Sequence, residues 1–166
     1  MDILRGAVLV VATMTVGFMA GVFGLYANAI MPGLRRIDDR TFVGSFQSID
    51  RAIINPLFMA MFFGALLFPG VSVVLHLPAG ERSVLPWTVA AFGLYLVVFV
   101  ITIAVNVPMN DAIKAAGDPD DTGDPSSVRA SFDEAKWHRW NVARTLMSTS
   151  GFACLAIALV EYGRNS

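Results

Sequence analysis

Charge is what this chain has least of. Asp, Glu, Lys and Arg make up 15% of its 166 residues, against about a quarter in an average soluble domain. Apolar residues reach 55% and mean hydropathy is +0.62, more apolar side chain than a soluble fold of this length has core to bury. The formal net charge of -1 offers no basic field for nucleic acid. Cysteine is almost absent: Cys154 alone, inside an apolar run, excludes an intrachain disulfide and a CxxC redox pair, and reads as a small buried apolar side chain. The two histidines, His76 and His138, form no HxxxH or ExxH pattern, so no metal site is indicated. No glycine-rich nucleotide loop and no Ser-His-Asp set is visible either.

What is present is four apolar runs, 6–30, 56–75, 84–107 and 141–162. Each reaches the roughly 20 residues that a helix needs to cross a bilayer core. The first three contain no Asp, Glu, Lys or Arg, and the fourth only Arg144 and Glu161 near its ends. In lipid such runs must be helical, because no solvent satisfies the backbone. The fold expected is an all-α integral membrane four-helix bundle forming a single transmembrane domain. The first run has a cleavage-like Ala27-Asn28-Ala29, but its apolar stretch exceeds a signal peptide's, so it reads as a retained span.

Punctuation supports these limits. Asn55-Pro56 is an N-cap followed by proline at the first helical position. Asp124-Pro125-Ser126-Ser127 starts another helix, expected to run unbroken into the fourth span. Pro69-Gly70 is expected to kink the second. The connection around 77–83 is short, so spans two and three form an antiparallel hairpin. The two other connections are long. In the first, Phe42, Phe46, Ile49 and Ile53 mark one face of an amphipathic helix lying on the membrane surface or capping the bundle. The second holds a polar turn region, 117–125.

With four spans, both long connections lie on one side. That side carries Arg35, Arg36, Arg40, Arg51, Lys114, Arg129, Lys136, Arg139 and Arg144; the other carries Arg5, Arg82 and Arg164. The positive-inside rule then puts the long connections in the cytoplasm and both termini outside.

Polar residues recur at helical spacing at that end. Gly17, Gly21, Gly24 and Asn28 form a stripe on the first span, readable as a packing seam. Thr102, Asn106 and Asn110 end the third span, with Pro108 withholding an N–H from the Ala104 carbonyl, which either an amide from Asn106 or a neighbouring helix could satisfy. Trp137, Asn141, Arg144 and Ser148 share one face of the last helix. Arg144 is the deepest cation, and such groups face the interior or a wet cavity unless they snorkel. Together with Asn28, Gln47 and Asn55 these residues form a polar cluster, either a pocket or a staple for the long connections.

The motifs Asn106-x-Pro108-x-Asn110 and Trp137-x-x-x-Asn141-x-x-Arg144, with the Phe42–Gln47 stretch and Asn55-Pro56, resemble the anthrone oxygenase family of small membrane proteins. The resemblance covers nearly the whole chain. It implies O₂-dependent oxidation of a flat apolar aromatic without cofactor. Arg144, Asn106, Asn110 and Asn141 would stabilise the oxyanion. Trp137 or Trp140 would stack on the rings, and Asn28, Gln47 and Asn55 would line the site. The base is open, with His138 and Asp111 as candidates. The alternative is a non-catalytic membrane accessory or lipid- or partner-binding subunit, in which the Phe42–Ile53 segment docks a partner or senses lipid. Association as a homo-oligomer or with a membrane partner stays open. A transporter is disfavoured, because the spans lack acidic residues for a cation path.

Overall fold

A computed structural model describes residues 2–77, 83–119 and 124–165. Its helices are α1 (Asp2–Leu34), α2 (Asp39–Ile53), α3 (Pro56–His76), α4 (Leu85–Ala115), α5 (Pro125–Phe132) and α6 (Glu134–Asn165). Helices α1, α3 and α4, and the α5–α6 stretch, are long and apolar enough to cross a membrane. Helices α1, α3, α4 and α6 pack in a ring, α1 on α3, α3 on α4, α4 on α6 and α6 on α1. Neighbours are antiparallel: Arg5 Nε donates to the Leu75 carbonyl at one end, and Asn141 Nδ2 to the Phe23 carbonyl at the other.

Only 28–33% of each apolar window is buried inside the bundle. Outward-facing Met14, Leu67, Val74, Leu146 and Val160 stay exposed. In water these faces would make patches far larger than a soluble monomer carries; in a bilayer they meet acyl chains. Trp87 and Trp140, partly exposed near the starts of α4 and α6 at opposite ends, sit where aromatic belts form. The protein is an all-α integral membrane bundle, as composition predicts.

Two local devices shape its site end. Residues Tyr26–Ile30 of α1 and Thr102–Asn106 of α4 are π-helical, with Met31 N–H bonded to the Tyr26 carbonyl and Val107 N–H to that of Thr102. Each wide turn ends two residues before a proline, Pro32 and Pro108. Widening moves backbone carbonyls off the proline ring, so both helices continue to Leu34 and Ala115. The apolar runs therefore understate these helices, whose ends hold the site. Pro69, by contrast, lies inside a continuous α3. Gly70 beside it admits the Phe92 ring of α4, 3.1 Å from where a Cβ would stand.

The last helix does not run unbroken from Pro125. Asp133 takes the left-handed conformation (φ 49°) and separates α5 from α6. Its Oδ1 accepts from Lys136 N–H at 3.0 Å, so the residue that ends one helix also caps the next. Asn55 and Asp124 cap α3 and α5 through Phe58 N–H and through Ser126 and Ser127 N–H, as the Asn-Pro and Asp-Pro pairs predict.

Helix α2 caps the bundle. Its buried stripe is Phe42, Val43, Phe46, Gln47 and Asp50, with Ile49 and Ile53 only half-buried. The stripe is rotated from the expected apolar face because its last two positions bury polar side chains that have partners. Gln47 Nε2 donates to the carbonyls of Ile113 (2.8 Å) and Gly117 (2.9 Å), tying α2 to the end of α4. Phe42 and Phe46 pack with Met31, Ile113, Phe132 and Trp137 in a second core beneath the bundle. Arg129 of α5 stacks on Phe42 and pairs with Asp39.

Candidate functional site

Where α2 folds over the bundle, a cavity of about 110 Å³ opens between α1, α2, α4 and α6. An engineered cavity of roughly 150 Å³ takes a benzene ring, so this one encloses somewhat less than one ring of a ligand and leaves the rest at the mouth. Phe23, Tyr26, Phe46, Phe58 and Trp137 give it aromatic walls. Phe46 stands edge-on to the Trp137 indole, with centroids 5.7 Å apart, and Tyr26 lies 5.8 Å from it. Ile54, Val107, Asp111 and Lys114 also line it. Exposed Ile54 and Val107 give this opening an apolar lip, whereas Asp111 and Lys114 give it a charged one.

Arg144 occupies the polar end. It is 5% exposed and does not snorkel. One terminal nitrogen donates to Thr102 Oγ1 (3.2 Å) and the other to Asn141 Oδ1 (2.9 Å). Its guanidinium lies 4.5 Å from the Phe23 ring centroid and 5.6 Å from that of Trp137. Among the described residues no carboxylate pairs with it and Nε has no partner. A cation buried this way in a low-dielectric wall costs several kcal/mol unless an anion joins it; the ring faces offset part of that cost. Asn106, 1% exposed, lines the same cavity with neither its amide nitrogen nor its oxygen hydrogen-bonded among the described residues. Of the two expected repairs of the Ala104 carbonyl, that by Asn106 is not made, because the π turn has already rearranged that stretch.

A second polar group lies along α2 and α4. Trp137 Nε1 donates to Asn110 Oδ1 (2.7 Å), Asn110 Nδ2 donates to Asp50 Oδ1 (2.6 Å), and Lys114 Nζ stands 2.8 Å from Asp50 Oδ2. Asp50, Lys114 and Tyr26 are cavity residues that sequence reading missed. Asp50 comes from sixty positions before Asn110, a distance that no local spacing bridges.

The structure thus brings together Asn106, Asn110, Trp137, Asn141 and Arg144. It does not bring the other sequence candidates to the cavity. Asn28 is exposed, because the π turn changes the phase of the stripe that starts at Gly17, where Phe152 packs. Asn55 spends its side chain on the α3 cap and Gln47 on the carbonyls of Ile113 and Gly117. Trp140, 39% exposed, points outward. Of the two suggested bases, His138 lies off the cavity, and Asp111 is on its rim with 64% of its side chain exposed. Among the described residues no three His, Cys, Asp or Glu side chains gather as a metal-ligating group.

No curated protein and no solved structure matches the chain. The family model described as anthrone oxygenase matches residues 58–154, more than half of the sequence and a stretch that holds Asn106, Asn110, Trp137, Asn141 and Arg144, so the chain belongs to the anthrone oxygenase family.

Proposed function

We propose that the cavity binds a flat aromatic ketone of the anthrone type as its enolate and lets O₂ oxidise it to the quinone. The observation that carries this reading is Arg144, a buried guanidinium without a carboxylate partner among the described residues, at the end of an aromatic-walled cavity. An anthrone's benzylic C–H is acidic because its carbanion delocalises into the ring carbonyl. The resulting enolate is electron-rich enough to pass an electron to O₂, so the protein's tasks are to bind, deprotonate and hold the oxyanion. Arg144, braced by Asn141 and Thr102, receives that oxygen. Asn106 offers a second donor, Asn110 holds Trp137, and Trp137 stacks on the ring. The net reaction is anthrone plus O₂ to quinone plus water.

The test is oxygen uptake by purified protein given a simple anthrone, with product identified by mass spectrometry against spontaneous autoxidation. Uptake well above that background with quinone formed is expected. Ligand binding without uptake above background would replace the oxygenase reading with a binding or accessory role.

The cavity end is proposed to face the cytoplasm, from the nine basic residues on that side against three on the other. In a Cys154→Ala background, Ser48→Cys on exposed α2 should resist a membrane-impermeant maleimide in intact cells, and Gly163→Cys near the other end should react. The reverse labelling would invert the topology.

A further inference from the structure

The oxygenase reading leaves the base unassigned, and, resting on that reading, we propose that Asp50 is the general base that takes the proton from the substrate carbon. Of the two carboxylates lining the cavity, Asp111 is out on the rim and Asp50 is buried, 7% exposed. Its two oxygens differ. Oδ1 is held by Asn110, itself held by Trp137. Oδ2 is ion-paired with the Lys114 ammonium 2.8 Å away. The carboxylate is thus held at both oxygens, by an amide on Oδ1 and an ammonium on Oδ2, and of its roughly four lone pairs these two partners leave others for a proton. Anchoring by a neutral amide and the indole that stacks on the substrate ties the base to the ring plane.

Its separation from Arg144 suits the chemistry. In an anthrone the acidic carbon and the carbonyl lie on opposite edges of the central ring, so base and oxyanion donor must occupy different places. No ion pair between Asp50 and Arg144 occurs among the described residues. Asn110 and Trp137 stand in the contact chain between them, with Arg144 against the Trp137 ring and Asp50 beyond Asn110. A direct ion pair would have taken Arg144 from the oxyanion.

The sequence of steps balances. Asp50 takes one benzylic proton, and the C–H electron pair moves into the ring and onto the carbonyl oxygen beside Arg144. The enolate gives one electron to O₂, and the superoxide so formed joins the same carbon as a peroxide anion. Asp50 returns its proton to give the hydroperoxide. It then takes the second benzylic proton as the O–O bond breaks, and the departing hydroxide leaves as water with that proton.

The experiment mixes anthrone with detergent-solubilised protein without O₂ and follows enolate absorbance, with tryptophan quenching as the binding readout. Wild-type protein should form bound enolate. Asp50→Asn, which keeps an oxygen for Asn110, should bind anthrone comparably but form enolate about 100-fold more slowly. Its O₂ consumption should return when the substrate is added already ionised from alkali. Wild-type rates of enolate formation in Asp50→Asn, or a loss that preformed enolate does not rescue, would overturn the assignment while leaving the oxygenase reading standing. A wild-type protein that neither binds nor oxidises anthrones would remove both. Should Asp50→Asn not fold, Asp50→Glu carries the test: it keeps the charge beside Lys114, and a displaced base should slow enolate formation with KM little changed. An unchanged rate there would count against Asp50.

Discussion

Replacing Arg144 by methionine is expected to lower kcat for anthrone oxidation by about 100- to 1,000-fold, the usual consequence of removing a donor from an oxyanion site. The protein itself should melt no lower than the parent in detergent. The two halves of this result have one cause. Arg144 sits 5% exposed among Phe23, Trp137 and neutral polar groups, with no carboxylate partner among the described residues. Exchanging a buried charge for an apolar side chain of similar length is often neutral or stabilising. Methionine strands only Asn141 Oδ1, since Thr102 Oγ1 still donates to the Val98 carbonyl. Arg144→Lys should bind weakly, because an ammonium cannot hold Thr102, Asn141 and an oxyanion with one planar fork. Oxygen uptake and thermal melting on the same preparations check both halves. An Arg144→Met protein that folds and turns over normally would remove Arg144 from the chemistry, whereas one that unfolds would make it a structural strut.

How much of this could be read beforehand depends on how local the determinants are. The spans were legible because lipid solvation acts on every residue of a run. Asn106, Asn110, Trp137, Asn141 and Arg144 were legible because three- and four-residue spacing puts them on single helix faces. Asp50 was not, since it reaches the cavity only when α2 folds back and Gln47 ties it to Ile113 and Gly117. Asn28, Asn55 and Trp140 share the membrane level of the site but not its direction. Level follows from position along a span, whereas direction depends on helix rotation, which the π turn at Tyr26–Ile30 resets. The break at Asp133 had no Gly or Pro to announce it. Aspartate tolerates the left-handed conformation better than most residues, and here its side chain gains a cap as well.

Asn106→Leu should move stability and function in opposite directions. Most buried side-chain amides are bonded at both ends. Asn106 is bonded at neither among the described residues. Leucine is close in size and removes two buried polar atoms, so the variant should gain about 1–3 kcal/mol, the usual cost of such unpaired groups. Its affinity for an anthrone should fall together with turnover. Asn141 gives the internal contrast. Its Nδ2 donates to the Phe23 carbonyl and its Oδ1 accepts from Arg144, so Asn141→Leu strands a backbone carbonyl and a guanidinium and should lower the melting temperature. Two asparagines in one cavity, given the same substitution, are thus predicted to shift Tm with opposite sign, and a rise at Asn106 together with weaker anthrone binding marks an amide kept unpaired for a ligand. If both variants melt lower, Asn106 has a partner in the folded protein and belongs to the scaffold. If Asn106→Leu melts higher yet binds anthrone unchanged, the orphaned amide serves a different ligand, and the substrate rather than the site must be reconsidered.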